Sequence, residues 1–180
     1  VSMTAIGSDG SESETLTEFA VVFEADGKQM IGKGEFEVDS DDGAEEFEYG
    51  FEIKRKKDGS LKGDFEFEYE FESAEGDDVE FEFEATAFDA FLVFTDWGYA
   101  EGSGELDDGT AVDWFVLAVD GELSDPEGDD LVRIRITLAG DPDAVVFDTE
   151  PGLHRFDTPT LVVDDGKIKV LRGDTTPGEV

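Results

Sequence analysis

The sequence predicts an all-β protein, an antiparallel β-sandwich or jelly roll of about ten strands with essentially no helix. Three observations carry that expectation. Aromatic and acidic residues alternate strictly through Asp64-Phe65-Glu66-Phe67-Glu68-Tyr69-Glu70-Phe71-Glu72, and a two-residue period is that of a strand, whose successive side chains point to opposite faces. The design recurs on either side, with Phe47, Tyr49, Phe51 and Ile53 against Glu46, Glu48 and Glu52, and with Val79, Phe81 and Phe83 against Glu80, Glu82 and Glu84. Beyond these, short apolar runs alternate with Gly, Asp and Pro turns to the end of the chain, and no long segment carries the helical period.

Residues 1–16 are small and polar, centred on Ser8-Asp9-Gly10-Ser11-Glu12-Ser13-Glu14, and read as a flexible leader or stalk. A single domain is expected over 17–173 and a short tail over 174–180, since 180 residues suit one core. The domain opens with Glu18-Phe19-Ala20-Val21-Val22-Phe23-Glu24, apolar on both faces like a strand buried on both sides. Phe19, Val21, Val22 and Phe23 are either the first strand of the sandwich or, on their loose tether, a strand donated to a neighbouring copy.

Residues 29–31 and 35–39 suggest a short hairpin turning at Gly32-Lys33-Gly34, followed by an acidic loop, Asp39-Ser40-Asp41-Asp42-Gly43. The strand over 45–53 ends in Lys54-Arg55-Lys56-Lys57, and Asp58-Gly59 turns it into Leu61. Glu75-Gly76-Asp77-Asp78 separates the second aromatic strand from the third, which runs on through Ala85-Thr86-Ala87-Phe88-Asp89 to Phe94. Residues 97–105 form a glycine-interrupted strand, and Asp107-Asp108-Gly109 turns it into the apolar 113–119. In residues 131–138 the outward positions switch from Glu to Arg, at Arg133 and Arg135. Val145-Val146-Phe147, and a hairpin of 161–163 with 167–171 hinged at Asp164-Asp165-Gly166, complete the set.

The charge is extreme: 49 Asp and Glu against 13 Lys and Arg give a formal −36. Glutamates facing each other across neighbouring strands lie about 4.5–5.5 Å apart, and unit charges about 5 Å apart in water repel by roughly 0.8 kcal/mol. At about 1 M salt the Debye length shrinks to near 3 Å, and most of that repulsion disappears. High charge also marks disordered chains, but sixteen Phe, several of them in strict alternation with acids, supply the apolar area of a core. The reading is a folded protein of an extremely salty habitat. An acidic surface argues against nucleic acid or anionic lipid as partner. With no cysteine there is no disulfide, thiol nucleophile or thiolate metal site. No apolar stretch approaches a membrane helix, and a chain starting at Val1 fits a product cut after a removed leader.

Candidate sites are few. His154 stands alone, without a serine motif or a second histidine, and reads as a surface residue; no catalytic residue is assigned. Paired carboxylates, as in glycosidases, cannot be singled out among so many acids. Asp39, Asp41 and Asp42 converge on Gly43 and are candidates for calcium, although the segment fails the EF-hand pattern at Ala44 and Gly50. Lys54, Arg55, Lys56 and Lys57 form a basic patch that either protects an edge strand or contacts an acidic surface on another copy. Arg133 and Arg135 share a strand face and are expected to bind Glu from an adjacent strand, a structural role rather than ligand binding. Trp97 and Tyr99 are candidate ligand aromatics.

From about Phe51 onward the order of motifs resembles the post-COAP family of secreted and surface β-domains. The pieces are 51–59, Ala85-Thr86-Ala87-Phe88-Asp89, Ala100-Glu101-Gly102-Ser103-Gly104, Val119-Asp120-Gly121, Val132-Arg133-Ile134-Arg135-Ile136, Val145-Val146-Phe147-Asp148 and Asp165-Gly166-Lys167-Ile168. Leu138-Ala139 and Thr149 depart from the family pattern. The resemblance implies an exported accessory module and carries over no functional residue. The expectation is therefore a non-enzymatic structural or adhesive domain at the surface of an extreme halophile, associating with copies of itself. The alternative is a monomeric module binding carbohydrate or calcium through Trp97, Tyr99 and the Asp-rich loops.

Overall fold

The computed structural model describes residues 2–3, 16–17, 28–40, 43–72, 78–163 and 165–171. β1 (Ser2–Met3) and β2 (Leu16–Thr17) form a two-residue antiparallel ladder. The rest is a nine-stranded sheet of β3 (Gln29–Ser40), β4 (Gly43–Arg55), β5 (Leu61–Glu72), β6 (Asp78–Val93), β7 (Trp97–Leu106), β8 (Ala111–Val119), β9 (Leu131–Leu138), β10 (Val145–Asp148) and β11 (Asp165–Leu171). Among the described residues the one helical element is a 3-10 turn, Gly121–Leu123. The all-β, antiparallel class is as the sequence predicts.

The arrangement within that class differs from a sandwich or jelly roll. The strands follow in the order β10-β9-β8-β7-β6-β5-β4-β3-β11, an antiparallel meander of nearest neighbours with β11 added beside β3. One sheet curls until its own face is its core. The bend falls in β6, where register slips between Ala85 and Ala87 and again between Phe88 and Ala90; bulges of this kind sharpen twist and bend a strand. Gly102 of β7 lies against this corner, and a Cβ there would overlap the Ala87 carbonyl oxygen.

Two hairpins expected from the sequence are not formed. Gly32-Lys33-Gly34 is no turn, because β3 runs straight through it. A Cβ on Gly32 would collide with the Phe51 ring, so glycine there admits an aromatic from β4 rather than a reversal. Residues 161–163 do not pair with β11 either. Val132 N–H donates to the Leu161 carbonyl and Val163 N–H to that of Asp130, which binds this segment to the start of β9. The chain then crosses to β3, where β11 pairs from Asp165↔Glu35 to Leu171↔Gln29. The segment thus bridges the two sides of the curl.

The expected register of the aromatic strands is present. Phe36, Phe47, Tyr69 and Phe81 face one another in a row, and Tyr49, Phe67 and Phe83 in the next. Phe47 and Tyr69 stack at 4.5 Å between ring centres, and Phe147 of β10 reaches across the interior to Phe47, Phe67 and Tyr69. Phe65, Phe83 and Phe88 pack on Trp114, and Ile134, Ile136, Ile168 and Val170 close the core. Each such side chain fully withdrawn from water stabilises the fold by about 1.5–3 kcal/mol.

Candidate functional site

The register that aligns the aromatics also aligns the acids on the other face. Glu35, Glu48, Glu68 and Glu82 form a row across β3 to β6, and Glu66, Glu84 and Glu105 a row across β5 to β7. A further backbone row joins Glu37, Glu46, Glu70 and Glu80. Gly50 sits between Lys33 and Glu66 and lowers the surface, leaving an open groove of about 610 Å³ lined by Glu48, Glu66, Glu84 and Glu105 among others, with Lys33 at one end. Among the described residues no three acids or histidines are arranged to hold a metal ion. The rows present an extended sheet of like charge rather than a ligand cage.

The outer face of β7–β9 is different. Tyr99, Leu117 and Arg133 lie in one register row and Glu101, Phe115 and Arg135 in the next. Arg133 is fully buried. Its Nε and Nη2 donate to the two carboxylate oxygens of Asp148 at 3.2 and 3.1 Å, and its remaining donors reach the carbonyls of Leu153 and His154. Arg135 approaches the same carboxylate at 3.7 Å. Residues 149–157 are thereby drawn across the face as a strap. Arg155 lies over the rings of Tyr99 and Phe115 and pairs with Glu101, to which the Tyr99 hydroxyl also donates. Burial pushes the Tyr99 hydroxyl up to about 12, against a downward pull from Arg155.

A third cluster closes the curl. The carboxylate of Asp130 accepts the Gly121 and Ile168 N–H groups at 2.8 and 2.7 Å, and Asp120 Oδ2 accepts Val170 N–H at 2.9 Å. Two side chains thus take the place of a neighbouring strand along β11. Beside them Glu122 accepts hydrogen bonds from Lys167 and Lys169, which pull its carboxyl down to about 2. Among the described residues the Tyr49 hydroxyl, buried nearby, has no hydrogen-bond partner; burial, with Asp130 second, raises it well above the usual range.

The residues singled out from the sequence fall into three groups. Phe19, Val21, Val22, Phe23, Asp41 and Asp42 lie outside the described residues, and Asp39 is a β3 residue opposite Ala44. The basic patch is split: Lys54 pairs with Glu52, Arg55 turns inward to the Phe91 carbonyl at 2.7 Å, and Lys56 and Lys57 are exposed in the turn. Trp97 stacks on the exposed Phe94 at 4.0 Å, whereas Tyr99 is only 2% exposed and sits beneath the strap. His154 is an exposed turn residue whose N–H donates to Asp157. Arg133 and Arg135 meet a carboxylate of the adjacent strand, but it is Asp148 rather than the expected glutamate. The roles of Asp120, Asp130 and Arg155 are not legible from spacing, since each depends on contacts distant in sequence.

No family model, curated protein or solved structure matches the chain.

Proposed function

We propose that this chain is a non-enzymatic structural or adhesive β-domain, exported to the surface of an extreme halophile, whose copies associate by donating residues 18–24. The observation that supports this best is the glutamate rows, one across β3–β6 and one across β5–β7. A face of that kind costs folding energy in dilute solution and little in molar salt, so it suits an environment of concentrated electrolyte. The same screening lets copies of formal charge −36 approach one another. The apolar run Phe19-Ala20-Val21-Val22-Phe23 supplies the strand to be shared. Following particle mass by light scattering while KCl is raised tests the reading. It expects a folded, associating chain at several molar KCl and loss of association on deleting residues 1–27; a monomer at every salt concentration refutes it.

A second reading has one observation in its favour. Phe94, 39% exposed and stacked on Trp97, offers an aromatic platform of the sort that receives a sugar ring. Saturable quenching of Trp fluorescence by oligosaccharides, absent in Trp97→Ala, is its expected signature.

A further inference from the structure

The edges of the curled sheet are not equivalent. Along β11 the outward N–H groups of Ile168 and Val170 are taken by Asp130 and Asp120. β11 in turn covers β3 from Gln29 to Glu35 and stops there, although β3 continues to Ser40. Among the described residues nothing pairs with the outer edge of β3 over 36–40, nor with the outer edge of β10. An aromatic layer of Phe36, Phe47, Tyr69 and Phe147 floors the interval between these two edges.

The chain's own apolar run cannot pair along this interval, because its near end would have to sit beside Phe36. Residue 23 lies five residues before Lys28, a connection of at most about 18 Å. Phe36 lies eight residues beyond Lys28 along β3, about 26 Å away at the strand rise. The nearer stretch, 29–35, which a turn at Ala25-Asp26-Gly27 would otherwise offer, is already occupied by β11. β10 is no closer, because Lys28 lies beside Arg55 while Phe147 packs at the level of Phe47, eight residues away on β4.

We infer that the interval between residues 36–40 of β3 and β10 is the acceptor for residues 18–24 of a second copy. Phe19, Val21 and Phe23 would extend the aromatic floor, and their backbone would pair with the exposed edge, as in strand addition generally. The inference rests on the strand-sharing reading above and adds to it the receiving edge and the exclusion of the donor's own chain.

Because the chain has no cysteine, pairing is readable by crosslinking. Full chains carrying Val21→Cys are mixed in concentrated KCl with differently tagged full chains carrying Glu37→Cys, Val38→Cys or Asp39→Cys, with Lys57→Cys as control, and oxidised. Crosslinks between the two tags at one of positions 37–39, absent at 57, are expected. A chain carrying Val21→Cys and Val38→Cys together is expected to give intermolecular ladders, and a crosslink closed within one chain overturns the inference. Hydrogen exchange on the unaltered protein provides a variant-free measurement: on association, amides of 36–40 and 145–148 are expected to slow. If light scattering shows association but neither crosslinks nor protection fall at these edges, the receiving edge is wrong and self-association stands. If the wild-type chain never associates, both fall.

Discussion

Arg133 places a guanidinium in the interior of a strongly acidic protein, bound to Asp148 and to two carbonyls of the strap. Removing Arg133 leaves the buried Asp148 carboxylate with only the more distant Arg135, and breaking a buried pair of this kind costs about 3–5 kcal/mol. Arg133→Met is expected to destabilise the fold by that amount in urea unfolding at fixed KCl. Combining it with Asp148→Leu should restore much of the loss, since the uncompensated charge is then gone. Tyr99 makes a separate statement about the same strap. Its hydroxyl ionises at about 12 rather than 10.0 because burial disfavours the phenolate. A raised acid pKa favours the fold below the unfolded value and weakens it as pH climbs from 10 toward 12. Tyrosine absorbance should therefore show Tyr99 and Tyr49 silent near pH 10 and ionising together with unfolding above it. The alternation in residues 131–136 shows that Arg133 faces away from the isoleucine side, but not that a loop twenty residues on covers it. For that reason Tyr99, a candidate ligand aromatic in the sequence, is in fact enclosed.

At the scale of the strand, periodicity was a reliable guide and glycine an ambiguous one. The aromatic rows and acid rows of β4–β6 follow directly from the two-residue period, because one register choice sends every Phe inward. Gly32-Lys33-Gly34 carries the same letters as a turn, yet the collision a Cβ on Gly32 would have with Phe51 comes from the neighbouring strand and is invisible in the segment itself. The acid rows carry a direct prediction. Glu66 and Glu84 are register partners with Glu105 beyond them, and charges about 5 Å apart repel by roughly 0.8 kcal/mol in water before screening. Glu66→Gln with Glu84→Gln should lower the KCl midpoint for folding and leave stability in several molar KCl almost unchanged. The carboxylates along β11 behave in the opposite sense. Asp130→Ala strips acceptors from two backbone N–H groups at once, and each unpaired buried donor costs about 1–3 kcal/mol. Its expected loss, several kcal/mol by chemical unfolding, persists at every salt concentration.

For the molecule as a whole, the sequence carried the class and withheld the curvature. Short strands with polar turns describe a sandwich, a jelly roll and a curled meander equally well. What selects the last is the slippage in β6 against Gly102, together with Asp120 and Asp130, which come from the β8–β9 connection to meet the far later strand β11. The contacts of Asp130 and Asp120 span 38 and 50 residues respectively, and none of these features leaves a periodic trace. The glutamate face and the charge of −36 make cohesion of this architecture a property of the medium as much as of the chain.

Gln29 and Leu171 are register partners, so the chain enters and leaves the described domain at adjacent points. Traction applied between those points opens the β3–β11 ladder like a zip, one rung at a time, and a single-molecule pulling measurement should find it yielding at low force. Traction that enters at Lys28 and leaves through residues 36–40 instead runs lengthwise along β3 and is borne by its covalent backbone, with the rungs to β4 left unloaded. The same strand is weak or tough according to where the load is attached.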